Sequence, residues 1–156
     1  MDSMEELRYL VLAVQREGAR ALTALLKPHD LTPSQAEAIA VLRDAGRPLS
    51  VREMGQRLVC EGGSPSRLLT TLVRKGLVES NVGSEDRRTT LVSLTSSGIE
   101  AARSVSEAER HFYAALASIL DDEQVAAALP VLRALVSSLP AGQALQRRIA
   151  DKASVA

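Results

Sequence analysis

The most restrictive feature of this sequence is a single β-hairpin pattern inside a chain that otherwise has the apolar spacing of helices. Residues 89–94 are β-branched and alternating, residues 77–82 are a matching strand candidate, and a polar tip over 83–88 joins them. Only 2% of the residues are aromatic, so the core must be built from Leu, Val and Ala, which suits helices. The sequence therefore predicts a mainly α fold with one small β-hairpin.

Two short helices are predicted directly before this hairpin. Ser50 followed by Glu53 is a capping box that begins a helix ending near residue 58. A glycine-rich turn over 60–63 follows, and a second helix over 64–76 comes after it. Helix, tight turn and helix form a helix-turn-helix unit, and a hairpin after that unit is a wing. We predict further helices over residues 4–27, 33–45, 96–119 and 122–139, and a weaker one from residue 140.

Only the middle of the chain has a positive net charge. The whole sequence has 19 basic and 19 acidic side chains. Residues 47–103 carry nine basic and six acidic groups, a net charge of +3, whereas residues 1–46 carry five and seven and residues 104–156 carry five and six. A uniformly basic nucleic-acid-binding protein is thus excluded, but a locally basic face is not.

Composition also restricts the chemistry that is available. One Cys excludes an intrachain disulfide and any zinc site built from several thiolates, and two His leave little for a metal site. We expect no metal, no cofactor, no membrane span and a cytoplasmic location. Ser64 lies in a Gly-Gly-Ser-Pro turn, which is not a nucleophile elbow, so an enzyme is not expected.

The second helix of the unit has two distinct faces at 100° per residue. Its inner face carries Leu68, Leu69, Leu72 and Val73, and its outer face carries Ser66, Arg67, Thr70, Thr71 and Arg74. The outer face has hydroxyl and guanidinium groups and no carboxylate, which favours binding to phosphate or to guanine edges. The alternative is a solvent-exposed helix that happens to lack acidic residues.

The tip of the hairpin allows a second contact with DNA. Arg87 or Arg88 could enter the minor groove, where the negative potential is concentrated. Alternatively, Asp86 pairs with one of these arginines and only fixes the turn.

Residues 58–98 resemble the MarR family of bacterial winged-helix transcriptional regulators. One half of the motif lies in SPSRLLTTLVRKGLVES (64–80) and the other in SEDRRTTLVSLTSSG (84–98). The resemblance implies a homodimer that binds palindromic double-stranded DNA, usually as a repressor that a small ligand or an oxidant releases. It places the DNA-binding residues at Ser64, Pro65, Ser66, Arg67, Thr70, Thr71, Arg74, Arg87 and Arg88. Pro65 and the two glycines at 62–63 differ from the residues that more commonly begin the DNA-reading helix of this family.

The resemblance also divides the chain within one compact domain. Residues 1–30 are then an N-terminal dimerisation helix, 31–98 the winged helix-turn-helix module, and 99–156 the C-terminal dimerisation helices. An apolar stripe supports the dimer independently, because one small module cannot cover it. The stripe comprises Val125, Ala128, Leu129, Leu132, Leu135 and Val136. The alternative is that these helices pack within one chain.

Two sets of residues suggest regulation. The rare aromatic side chains Tyr9, Phe112 and Tyr113, with His111, are candidates to line an effector pocket, although core or dimer packing would also explain them. Cys60 could sense oxidants, although a lone Cys is often a small buried apolar residue. Two other functions remain open: a winged-helix module for protein–protein contact, and a small-molecule-binding or detoxifying all-α enzyme.

Overall fold

A computed structural model describes residues 2–60, 64–83 and 88–155 and confirms the mainly helical fold with a small hairpin. The helices are α1 (Ser3–Leu26), α2 (Pro33–Ala45), α3 (Val51–Gly55), α4 (Pro65–Arg74), α5 (Ser96–Ala117), α6 (Asp122–Val136) and α7 (Pro140–Val155), with a 3-10 turn over Lys27–His29. The strands are β1 (Leu49–Ser50), β2 (Val78–Val82) and β3 (Thr90–Leu94). In these ranges, no helix is long and apolar enough to cross a bilayer.

Side-chain caps fix where the helices of the module begin. Thr32 and Ser50 each accept a hydrogen bond from the backbone N–H three residues on, and the side chains of Gln35 and Glu53 accept one from the cap in return. These two capping boxes satisfy backbone donors that the first helical turn leaves without partners. They confirm the predicted starts of α2 and α3.

The three strands form one antiparallel sheet in the order β1-β3-β2. Val78 pairs with Leu94 at the base of the hairpin, and Leu49 pairs with Val92 on the other side of β3. Leu49, Val78 and Val92 are buried there, whereas Val82 at the far end of β2 is 66% exposed. The hairpin is therefore anchored at its base and projects from the body of the protein.

The two halves of the sequence motif meet where α4 ends and α5 begins. Gly76 adopts the left-handed φ of 70°, and the Thr95 hydroxyl donates to its carbonyl oxygen at 2.6 Å. A Cβ on Gly98 would lie 1.9 Å from the Leu77 carbonyl oxygen, so only glycine fits at this close approach. The hairpin and α4 are thus held together at the base of the hairpin.

The core lies in the winged-helix module and is centred on α2. Nine of the thirteen α2 residues are buried. They pack with Leu26 of α1, Met54 of α3, Leu72 of α4 and Val105 of α5, among others. By contrast, no residue of α6 is buried within the chain. The predicted ends of α3, α5 and α6 were two to three residues too late.

Candidate nucleic-acid interface

Helix α4 rests on the core through a narrower apolar face than its sequence predicted. Leu69 and Leu72 are buried and Leu68 is half-buried. Val73 is 39% exposed, so its assignment to the inner face was wrong. It lies at the edge of the arc, where a ten-residue helix on a small body cannot cover it.

The opposite face of α4 points to solvent. Ser66, Arg67, Thr70 and Arg74 are exposed, and Thr71 is half-buried. The Thr70 hydroxyl donates to the Ser66 carbonyl oxygen at 2.8 Å, and the Thr71 hydroxyl donates to the Arg67 carbonyl oxygen at 3.0 Å. These bonds use the hydroxyl protons but leave oxygen lone pairs outward. Arg67 and Arg74 are seven residues apart, which separates them by about 10 Å along the helix.

The beginning of α4 is built as expected for Ser64 and Pro65. The exposed Ser64 accepts a hydrogen bond from the Arg67 N–H at 3.4 Å as the N-cap, and Pro65 occupies the first helical position. Pro65 is half-buried, and a Cβ on Gly55 of α3 would lie 3.1 Å from its ring. Its role is thus packing of α4 against α3, rather than presentation of a polar group.

A cleft next to α4 was missed at the level of sequence. It encloses about 360 Å³ between the N-terminus of α2 and the recognition helix. Its lining comprises Thr32, Ser34, Gln35, Ser64, Arg67, Leu68 and Thr71. The capping box at Thr32 gave the helix start but not its neighbour in space, because the two helices are about 30 residues apart in the chain.

Ion pairs brace the far end of α4. The Lys75 ammonium contacts both the backbone oxygen and the carboxylate of Asp30, in the turn that follows α1. Asp30 itself takes the left-handed φ of 53°. Lys75 is therefore engaged in this contact, whereas Arg67 and Arg74 are exposed.

The wing residues are placed only in part. Arg88 is exposed immediately before β3. Arg87 and Asp86 lie outside the described residues, and so does the proposed Asp–Arg pair at the tip. Near the base of the wing, the Ser93 hydroxyl donates to the Glu79 carboxylate at 3.2 Å across β2 and β3.

The effector candidates do not gather in one pocket within the chain. Phe112 and Tyr113 form an edge-to-face pair with ring centroids 6.0 Å apart, and Phe112 packs near Gly18 of α1. Tyr9 lies nine residues before Gly18, about 13 Å along the same helix, and stacks under Arg8. His111 is exposed.

An apolar cavity lies between the winged-helix module and α5. It has a volume of about 420 Å³. Leu42, Pro48, Leu94, Ile99 and Ala102 line it, with Arg43, Arg47 and Arg103 among its polar residues. The predicted effector residues are absent from this lining.

The surroundings of Cys60 disfavour a reactive thiolate. Cys60 is exposed at the end of the described part of the inter-helix turn. Partial desolvation raises the pKa of its thiol, and the nearby Glu37 carboxylate raises it further. Since the thiolate is the species that reacts with oxidants, this geometry does not favour the oxidant-sensor hypothesis.

Sequence comparison connects the module to known regulators. A family described as winged helix DNA-binding domain matches residues 31–98. The HTH-type transcriptional regulator SarZ of Staphylococcus haemolyticus is 30% identical over 94 residues, 60% of this chain and 63% of that protein. The organic hydroperoxide resistance transcriptional regulator of Bacillus subtilis is 30% identical over 98 residues, 63% of this chain and 66% of that protein. The chain thus spans just under two thirds of these two curated relatives.

Solved structures extend the similarity to most of the chain. A MarR mutant from E. coli complexed with operator DNA is 26% identical, with a TM-score of 0.77, and the match covers 87% of this chain and 99% of that one. The S. aureus MepR–DNA complex is 25% identical, with a TM-score of 0.76, over 85% of this chain and 97% of that one. Both of these proteins were solved in complex with DNA.

Proposed function

We propose that the chain is a winged-helix transcriptional regulator of the MarR type and acts as a homodimeric repressor of a palindromic operator. The observation that carries the proposal is the exposed face of α4. It presents two guanidinium groups and several hydroxyl oxygens, and α4 contains no carboxylate. Such a face complements a polyanion.

We assign base reading to the exposed side chains of α4. Arg67, near the N-terminus of the helix, would donate two hydrogen bonds to a guanine edge in the major groove. Thr70 supplies an outward hydroxyl oxygen, and Arg74 reaches the flanking phosphates. Arg67 and Thr70 would discriminate between bases, whereas the phosphate contacts of Arg74 would set the register.

Two further elements would hold the backbone of the duplex. The α2 N-terminus offers the backbone N–H and the hydroxyl of Ser34 beside Arg67, and a helix N-terminus favours a phosphate. The wing projects beyond the body, which supports a minor-groove contact by Arg87 or Arg88. The cleft beside α4 and the wing would thus add backbone contacts to those made by α4.

Exposed apolar side chains support the homodimer. Helix α1 leaves Leu10, Val11 and Val14 uncovered, and α6 leaves Leu129 and Leu132 uncovered. Exposed apolar side chains in this number on two helices are typical of an interface between copies. A two-fold dimer would set its two α4 helices about 34 Å apart, one turn of DNA, and would therefore require a near-palindromic site.

A small-molecule effector would act on the spacing of these helices. The apolar cavity between the module and α5 is where such a ligand would change the angle between reading helix and dimer helices. The aromatic cluster of α5 remains an alternative site, completed by the partner chain. Relief of repression requires only that the ligand bind the non-DNA conformation more tightly.

The test begins with selection of bound duplexes from random DNA, which gives the operator and its symmetry. Fluorescence anisotropy on that duplex then compares wild type with Arg67→Ala. We expect the variant to lose roughly 10- to 100-fold in affinity and to discriminate less strongly at the contacted base pair.

Arg110→Ala is the matched control, since Arg110 is exposed on α5 and away from α4. It should leave the affinity unchanged. Failure of purified protein to bind any duplex at low salt would refute the proposal and favour a winged-helix module for protein contact.

A further inference from the structure

Helix α7, which follows the residues matched by the winged helix family, packs against the module rather than extending away from it. Ala144 is 3% exposed, and Arg148, Asp151 and Lys152 follow on the same face of the helix. Gly142 permits the sharp return from α6, because a Cβ there would lie 2.0 Å from the Val136 carbonyl oxygen. The position of α7 is thus fixed at both its start and its end.

The first link from α7 reaches the turn that precedes the recognition helix. Glu37 of α2 is only 8% exposed, and its carboxylate accepts hydrogen bonds from the N–H groups of Val59 at 2.7 Å and Cys60 at 2.9 Å. Arg148 donates to the same carboxylate at 3.2 Å. Arg148 thus adds a charged hydrogen-bond donor to the carboxylate that anchors residues 59–60.

The second link reaches the end of α3. Arg57 makes a bidentate ion pair with Asp151, with distances of 2.6 Å from Nε and 3.2 Å from a terminal nitrogen. Asp151 raises the pKa of Arg57, mainly through these hydrogen bonds. Arg147 donates to the Gln56 carbonyl oxygen one residue away. The α3 end of the connection between α3 and α4 is therefore held by α7.

A third link continues toward the dimerisation helix α5. The Asp44 carboxylate of α2 is buried and has Arg148 at 3.7 Å, Lys152 at 3.5 Å and Arg43 at 2.8 Å. Arg43 in turn donates to the Ser106 hydroxyl of α5 at 2.6 Å. One polar network thus connects α5, α2, α7 and the helix-turn-helix.

From these contacts we propose that α7 positions the recognition helix, with Arg148 and Asp151 as positioning residues for DNA binding. The inference rests on the proposed function, because it concerns DNA binding through α4. Since α4 packs against α3 through Pro65 and Gly55, holding the end of α3 favours one orientation of α4, so that less ordering is needed on binding and the affinity is higher. Asp151 cannot itself contact phosphate, so its effect on affinity must pass through Arg57.

The experiment compares full-length variants on the duplex selected by wild type. Arg148→Gln and Asp151→Asn remove one charge each with little change in shape, and we expect each to weaken binding about tenfold. The salt slope should stay that of wild type, because no phosphate contact is lost. Arg148→Lys keeps the charge and should recover most of the affinity. Glu107→Gln, an exposed carboxylate on α5, is the matched control and should bind as wild type.

Hydrogen exchange of the Val59 and Cys60 amides provides a readout that needs no DNA. Both should exchange several-fold faster in Arg148→Gln, while buried amides of α2 such as that of Ile39 keep their wild-type rate. If the latter also exchange faster, the variant is globally destabilised and the positioning role is overturned.

Three results would contradict the inference. Wild-type affinity together with wild-type exchange in both variants would show that α7 does not hold the turn. A salt slope reduced by about one in Arg148→Gln would make Arg148 a direct phosphate contact. If wild type binds no duplex, the proposed function fails, and unchanged exchange in Arg148→Gln would then also remove the link between α7 and the turn.

Discussion

Helices α2 and α6 have similar lengths and opposite environments. Ten of the fifteen α6 residues are Ala, Val or Leu, against seven Ala, Ile, Val or Leu among the thirteen of α2. Yet nine residues of α2 are buried and none of α6. The more apolar helix is therefore the more exposed one. Burial depends on whether neighbouring elements of the same chain surround a helix. In the described residues, α2 packs against α1, α3, α4, α5, α7 and β3, whereas α6 packs mainly against α7.

This comparison contrasts the core around α2, which includes Leu26 of α1 and Val105 of α5, with terminal helices whose apolar side chains the described chain leaves exposed. Around α2, even charged groups are enclosed and paired, as Glu37 and Asp44 are. On α1 and α6, leucines and valines face solvent. Three substitutions test the comparison, beginning with the largest expected effect.

Leu72→Ala should strongly destabilise the module. Leu72 is fully buried where α4 meets the core, so truncation loses transfer free energy and leaves a cavity, and we expect the free energy of unfolding to fall by about 2–5 kcal/mol. Val73→Ala, the adjacent half-exposed residue, should cost under about 1 kcal/mol. Denaturant unfolding at one fixed protein concentration measures both. Equal costs at the two positions would contradict the assignment of the core.

Leu132→Glu should act on association rather than on the fold of the module. Leu132 is 47% exposed within one chain but central to the α6 stripe, so a charge there would be buried without a partner only in the dimer. We expect the dimer dissociation constant to rise about 100-fold or more, measured by sedimentation equilibrium. Ala127→Glu places the same charge on another face of α6 and serves as control. An unchanged mass for Leu132→Glu would remove α6 from the interface.

Mild acid should remove a small part of the stability of the module. The Arg47 guanidinium donates a hydrogen bond to the carboxylate of Glu53, which is the partner of Ser50 in the capping box of α3. This contact holds the pKa of the Glu53 carboxyl at about 2 rather than 4.5. The ionised form is thus favoured in the folded state. The stabilisation is complete above pH 4.5 and is lost as the pH falls toward 2.

Since Arg47 is half exposed and water screens the pair, we expect no more than about 1 kcal/mol from this interaction. Arg47→Ala should flatten the decline of stability between pH 4.5 and pH 2 relative to wild type, as followed by thermal unfolding. An identical acid profile in the variant would exclude the pair as a contributor.

Much of the fold follows from local sequence. Thr32, Ser50 and Thr95 mark helix starts, because a cap and its bonded N–H lie three residues apart in the chain. The hairpin follows from alternation, and the outer face of α4 from its 100° period. The late predicted ends of α3 and α5 show that the last turn of a helix has no comparably strong local signal.

Other features depend on residues that are distant in sequence. The pairing of β1 with β3 involves two residues about 40 positions away, too few to give a pattern. The cleft beside α4 and the exposure of Val73 follow from how helices pack. Glu37 reads in sequence as an ordinary helix carboxylate, and only the fold brings it to the Val59 and Cys60 amides.

The sequence by itself determined where the helices and strands lie, the carboxylate-free face of α4 and the surplus of apolar side chains at both ends of the chain. These depend on spacing along the backbone, which a helix or strand fixes locally. Only the tertiary structure decided that α7 returns to the module and that Arg148 stabilises Glu37 beneath the recognition helix. Burial and ion pairing are set by distances in space, and these residues are over 100 positions apart.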